Sequence, residues 1–182
     1  SYHLGVAHGK VIQIADWSTA YQTAPNRDKC EGGVWVVLPP EMWPSDWHSI
    51  YDHNTQVCVP VLKSLYGRYR AGYDYDAFAN ETYIAAGFQP LYDVDSALYV
   101  HKDAVPDGRM PDSAMRYVDD NMLASEPANA QRRWDTFAKV FVQPKVEDLH
   151  GSTYLGVRIF VEHLGGTVYR ITWSQAELLT AS

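Results

Sequence analysis

The sequence predicts an α+β protein: a small antiparallel sheet with helices packed on one face. Three observations carry that expectation. Apolar residues return at helical spacing in two places, first Tyr75, Phe78, Ala79, Thr82, Ala85 and Ala86, then Trp134, Phe137, Ala138 and Phe141. Between them, Met115 to Ala124 reads as two apolar runs joined by a chain reversal at Asp119 and Asp120, the pattern of a hairpin. The resulting order of strand, helix, strand hairpin, helix and strand is that of an antiparallel sheet covered on one side.

Taken in order, Val11 to Ala15 reads as a strand closed by Asp16, and Val34 to Leu38 as a second, stopped by Pro39 and Pro40. A loop rich in Trp, Asp, His and Ser runs from Met42 to Thr55, followed by the apolar run Val57 to Leu62. The first helix is expected over about Tyr73 to Ala86, with Gly87 as its stop. Ala97 to Val100 is a short strand, followed by a polar loop with Pro106, Gly108 and Pro111. Aspartate suits the hairpin reversal because it tolerates unusual backbone angles. Ser125 is the expected cap of the second helix, with Pro127 in its first turn. The tail reads as a hairpin, Tyr154 to Val161, a turn at Leu164-Gly165-Gly166, and Thr167 to Thr172. No repeat, low-complexity tract or linker divides the 182 residues, so one domain over 1–182 is expected.

A hydrophobic content of 46% with 20% charged residues places the chain among globular proteins rather than disordered tails. No apolar run is long enough to cross a bilayer and the N-terminus lacks signal-peptide character, so an intracellular protein without membrane partners is expected. Cys30 and Cys58 are too few for a disulfide framework and are expected as thiols. The net charge of −7 argues against nucleic-acid binding by bulk electrostatics, though it is compatible with a concentrated acidic catalytic site. The missing initiator Met, with motifs close to both ends, predicts a piece of a longer polypeptide.

Adjacent carboxylates repel, so Asp119 and Asp120 are either fully solvated or share cations. Asp16, at the end of another strand, is a third carboxylate that the fold can bring beside them. Three aspartates on strand ends outline a Mg²⁺ site, because this small hard cation takes oxygen ligands, keeps several waters and leaves room for phosphate oxygens. Other arrangements fail on spacing. Cys30, His48, His53 and Cys58 match no tight zinc motif. Gly5-Val6-Ala7-His8-Gly9-Lys10 has too few residues between its glycines for a phosphate loop, lacks the following Ser or Thr, and precedes a strand. Trp134, Phe137 and Phe141 read as core.

Several blocks in register resemble the reverse transcriptase of copia-type LTR retrotransposons. They are Ile12-Gln13-Ile14-Ala15-Asp16-Trp17-Ser18-Thr19-Ala20-Tyr21, Val34 to Met42 with its Pro-Pro, Val57-Cys58 leading into Lys63-Ser64-Leu65-Tyr66-Gly67, Asp95 to Val100, Tyr117-Val118-Asp119-Asp120, Glu147-Asp148-Leu149 with Tyr154 to Ile159, and Ile171 to Gln175. The resemblance spans nearly the whole chain. It implies a palm with part of the fingers, the upstream fingers and the downstream thumb and ribonuclease H regions lying outside the segment. It implies an RNA-directed DNA polymerase with two Mg²⁺ ions on Asp16 and Asp119, and Asp120 as a weaker ligand. Tyr21 matches the aromatic that lies under the incoming sugar and rejects a 2′-hydroxyl, Tyr117 opens the nucleotide-proximal Tyr-x-Asp-Asp turn, and Lys145 is the candidate that protonates pyrophosphate. Tyr154 to Ile159 would grip the primer end. Implied partners are an RNA or DNA template-primer, deoxynucleoside triphosphates and the remaining polyprotein with its integrase and ribonuclease H; the implied location is a cytoplasmic virus-like particle.

The chain departs from the family pattern where Arg70, still a nucleotide-binding candidate able to hydrogen-bond a triphosphate, replaces a nucleotide-contacting Gln, where Gly72 replaces a helix-starting Pro, and where Arg116 occupies an apolar strand position. These departures support an alternative expectation, a catalytically inactive retroelement remnant that keeps the fold.

Overall fold

A computed structural model describes residues 9–28, 33–103, 109–142, 145–165 and 168–175 of the chain. In chain order the elements are β1 (Val11–Asp16), α1 (Ala20–Thr23), β2 (Trp35–Leu38), β3 (Val57–Pro60), α2 (Ala71–Ala85), β4 (Phe88–Leu91), β5 (Asp95–His101), β6 (Ser113–Tyr117), β7 (Asp120–Ser125), α3 (Pro127–Ala138), β8 (Val146–Asp148), β9 (Thr153–Tyr154), β10 (Val157–Gly165) and β11 (Val168–Ser174). The architecture is mixed, with antiparallel sheets and few helices. The residues group into two compact units, one formed by the chain up to Ala20 together with that from Asp76 onward, the other by Tyr21–Tyr75.

The larger unit holds a six-stranded sheet in the order β4-β5-β6-β7-β1-β8 and a three-stranded sheet β11-β10-β9. Every neighbouring pair is antiparallel. Pro90 sits in β4, the edge strand, where its missing N–H leaves no ladder bond unmade. Strand periodicity divides the sheet into two faces. Toward the helices, Gln13 accepts a hydrogen bond from Trp134 Nε1 at 2.9 Å and Asn121 accepts one from the Tyr83 hydroxyl at 2.7 Å. On the other face Ile12, Ile14, Met122 and Ala124 join Leu149 and Tyr154 in an apolar cluster, covered by Ile159, Val161 and Tyr169 of the smaller sheet.

The helical side carries an aromatic core. Trp17, fully buried, stacks on Phe141 with centroids 4.6 Å apart and meets Trp134 and Phe137 edge-on. Tyr83 lies 4.5 Å from both Phe137 and Tyr99. This corrects the expected face of α2: the buried positions run through Tyr75, Ala79 and Tyr83, whereas Ala85 is exposed. The periodicity is right but an amphipathic Tyr, polar at its tip, is the residue that reaches the sheet. Ser125 likewise is not the cap of α3; it ends β7, and Glu126 is the N-cap without a side-chain bond, followed by Pro127 at the first position. At the expected tail turn, Leu164 and Gly165 instead belong to β10, and Gly166 lies outside the described residues.

In the smaller unit β2 and β3 form an antiparallel pair. Trp43 donates to the Leu38 carbonyl at 2.8 Å and has His48 and His53 against its ring, which accounts for both histidines as members of an aromatic cluster. Cys58 is a free, exposed thiol on β3, and Cys30 lies outside the described residues. Asp74, fully buried, accepts from the Arg27 backbone N–H at 3.3 Å and lies 3.8 Å from Arg70.

A buried ionic network closes one end of the larger sheet. Asp112 accepts from Lys10 Nζ at 2.9 Å, the Glu126 backbone N–H at 2.9 Å and Arg133 Nε at 3.0 Å. Arg133 continues to Asp103 at 2.7 Å and meets His101 Nε2 at 2.7 Å. Burial would push the Asp112 carboxyl up, but these donors outweigh it and hold it below the usual carboxylate value. Burial, and then the Arg133 charge, push the His101 imidazole down.

Two outcomes follow for stability. A neutral His101 contributes stability that is present above its unfolded value of 6.5 and is lost as pH falls below it, and Asp112 adds a second loss below 3.8. NMR should therefore place the His101 titration below pH 6.5, and titration at or above that value would contradict the network. Gly87 ends α2 at φ +91°, and a Cβ there would stand 2.6 Å from His101 Nε2. Gly87→Ala should cost about 1–3 kcal/mol in urea unfolding through its backbone angle alone, with the His101 clash adding to it.

Candidate metal centre

β1 and β7 pair along their full lengths, and their last register pair is Asp16 with Asp120. Cross-strand partners point to the same face, so two residues more than a hundred positions apart present their carboxylates side by side. Asp120 in turn pairs with Tyr117 on β6, which places Tyr117, Asp120 and Asp16 in one row across three strands. Tyr117 and Asp16 are exposed, and Asp119 and Asp120 are half-buried.

Asp119 belongs to the two-residue loop between Tyr117 and Asp120, and its backbone is anchored from two sides. Its carbonyl accepts from the Trp17 backbone N–H at 2.9 Å and from Asn121 Nδ2 at 2.6 Å, so both lone pairs are used. Asn121 is fully buried and is held by the Tyr83 hydroxyl. The unusual backbone angle falls on Val118, at φ +53°, and not on an aspartate as expected. Positive φ at the first loop position only is the pattern of a type II′ turn, where glycine is the usual residue. A β-branched residue there is strained, and such strain collects at functional sites.

A cleft of about 250 Å³ opens beside this row, lined by Ile14, Ala15, Asp16, Asp120, Lys145, Glu147, Thr153 and Tyr154. The structure thus brings Asp16, Asp120 and Lys145 to one cavity. The Lys145 ammonium is exposed and paired with Glu147, which raises its pKa and keeps it charged. Tyr21 and Arg70 belong to the other unit. There Tyr21 packs against Tyr66 and Tyr75 at 4.7 and 5.4 Å, and Arg70 pairs with Asp74 and lies over the Tyr73 ring. Arg116 is buried against the helices, bonded to Asp76 and to the Tyr99 hydroxyl.

The electrostatics at the carboxylates are those of unneutralised charge. Burial raises the Asp120 pKa, and the nearby charges of Asp119 and Asp16 raise it further. Among the described residues no group of three or more His, Cys, Asp or Glu side chains is placed so that it could hold a metal ion. An all-oxygen, anionic, half-open donor set suits Mg²⁺, which binds through one or two carboxylates and completes its shell with water and phosphate oxygens.

Sequence reasoning missed Asn121, Tyr83, Glu147 and the hydroxyl of Tyr154. Asn121 did carry a signal, since Asn is disfavoured within strands and here interrupts an apolar run. No protein-family model, curated protein or solved structure matches this chain. Among the described residues no helix is long and apolar enough to cross a membrane.

A raised Asp120 pKa means that the folded protein takes up this proton more readily than the unfolded chain, so the group lowers stability above its folded value and ceases to do so as pH falls. Asp120→Asn is therefore expected to raise the thermal midpoint of the metal-free protein at neutral pH. A lower midpoint would show that the three carboxylates do not repel.

Proposed function

We propose that the chain is the palm of an RNA-directed DNA polymerase of the copia-type LTR retrotransposon class, acting in nucleotidyl transfer to a primer 3′-hydroxyl. The observation that carries this reading is the register pair of Asp16 with Asp120, which sets the aspartate of one block opposite the Asp-Asp turn of another. Family-like blocks supply the motifs, and the pairing supplies a reason for their separation in the sequence.

Asp16 and Asp119 are the proposed ligands of two Mg²⁺ ions, with Asp120 as a weaker ligand. Bound there, Mg²⁺ supplies the Lewis acidity that acidifies the primer hydroxyl and the positive charge that offsets the departing pyrophosphate. The chain's own residues do the rest. The Asp119 carbonyl, tied to Trp17 and Asn121, fixes the turn so that the carboxylates need no reorganisation when substrate arrives. Lys145, kept protonated by Glu147, is a cationic acid at the mouth of the cleft for a phosphate oxygen. Tyr117, exposed beside Asp120, offers a ring for a base or sugar. Template-primer, deoxynucleoside triphosphates and the rest of a polyprotein are the proposed partners, within a virus-like particle.

A second reading, a retroelement remnant that keeps the fold without polymerising, is favoured by Arg70, whose guanidinium is engaged by Asp74 where a nucleotide contact is expected. Primer extension separates the two. The chain joined to fingers and thumb segments should extend a primed RNA template with Mg²⁺, and Asp119→Asn should reduce the rate by at least about a hundredfold, as losing a group that stabilises transition-state charge does. Extension at the full rate by that variant would end the assignment, and metal binding without extension would favour the remnant.

A further inference from the structure

Tyr154 brings a hydroxyl into the acidic cleft that the fold itself does not use. Its ring is locked in the apolar cluster with Ile12, Ile14, Met122 and Leu149, and the residue is 5% exposed. Its hydroxyl has no hydrogen-bond partner among the described residues. A buried hydroxyl left without a partner is destabilising, so its place in the cleft beside Asp16 and Asp120 calls for an explanation.

The surroundings narrow what that hydroxyl can serve. Of the other side-chain donors on the cleft wall, Lys145 is taken by Glu147 and Thr153 is exposed to water. Tyr154 and Asp120 line the same cleft, and a phenol is protonated at neutral pH, so the group is available there as a donor. The backbone after it is fixed, with Leu155 at φ +50° and Gly156 at φ +74° turning the chain from β9 into β10. The ring direction is thereby set by the core on one side and the turn on the other.

We propose that Tyr154 is a positioning residue for Asp120: with a dication bound, its phenolic O–H donates to the Asp120 carboxylate oxygen turned away from the ion and so fixes which oxygen faces Asp16. The proposal rests on the reading of Asp16, Asp119 and Asp120 as a metal centre. Hydrogen bonds from a second residue to a ligating carboxylate orient it and change metal affinity by about 10–100-fold. Tyr154 is the one member of the apolar cluster that can make such a bond, because Ile12, Ile14, Met122, Ala124 and Leu149 carry no polar side-chain hydrogen.

The test is a Mn²⁺ titration of the 182-residue chain followed by electron paramagnetic resonance, with thermal melts of the metal-free protein, for the wild type, Tyr154→Phe and Asp119→Asn. The Phe variant keeps the ring and removes only the oxygen. Expected are loss of Mn²⁺ binding in Asp119→Asn, about tenfold weaker binding in Tyr154→Phe, and a metal-free midpoint for Tyr154→Phe equal to or above that of the wild type, since an unsatisfied group has been removed. Unchanged Mn²⁺ affinity in Tyr154→Phe overturns the positioning role and leaves the metal centre standing. A lower metal-free midpoint assigns the hydroxyl to the fold and also overturns it. Absence of any Mn²⁺ binding sensitive to Asp119→Asn overturns both this proposal and the metal centre.

Discussion

Six consecutive register pairs tie Val11–Asp16 to Asp120–Ser125. Because side-chain direction repeats every second residue, a slip of one position would turn Ile12 and Ile14 out of their cluster and carry Asp16 to the helical face. Burying each isoleucine is worth about 1.5–3 kcal/mol, and Met122, Leu149 and Tyr154 add to the same cluster. The apolar cluster therefore fixes where the charges go. Asp16 continues the row begun by Ile12 and Ile14, so its position opposite Asp120 follows from packing even though the carboxylates themselves oppose it.

The two ends of β1 show that this repulsion is local. Just before the strand, Lys10 is buried and meets Asp112, which also takes donors from Glu126 and Arg133. Lys10, Asp112 and Arg133 each face an opposite charge, and removing one partner of such a network would leave another buried and uncompensated. At the far end the same strand delivers Asp16 to Asp120 and Asp119, with Lys145 drawn off by Glu147. One sheet thus satisfies its buried ions completely at one edge of the hairpin and leaves an excess of negative charge at the other. Generic acidity of the chain does not explain that contrast, because both ends draw on the same net charge of −7.

Much of the sheet was legible in the sequence for the reason that period-2 patterns and a two-residue loop are local. β1, the β6–β7 hairpin and the aromatic stripe of α3 fell close to where alternation and helical spacing put them. Short elements without an apolar run of their own, such as β4 with Pro90 and β8 at Val146–Asp148, gave no local signal and exist because a neighbouring strand supplies their ladder. At the site, the three aspartates stood out as residue types, whereas the parts that hold them came from a distance. Tyr83 reaches Asn121 across 38 positions, and Tyr154 comes from a different sheet. The ionic network was invisible because Lys10, Asp112, His101 and Arg133 meet only in the folded state.

Val118 connects the strain at the turn to its anchoring. A Gly at this position would relieve the φ of +53° but would free the turn to sample other angles, and the Asp119 carbonyl would gain freedom with it. With Val the loop is held to a narrow range, which is tolerated because Trp17 and Asn121 donate to the carbonyl at 2.9 and 2.6 Å and the Tyr83 hydroxyl holds Asn121 at 2.7 Å. Turning the carbonyl inward exhausts its acceptor capacity within the protein, so it is the Asp119 carboxylate and not its carbonyl that is left to meet a cation. A flexible turn would let adjacent like charges move apart. The restrained one keeps Asp119 and Asp120 at close quarters, where the field that raises the Asp120 pKa is the same field that attracts a dication.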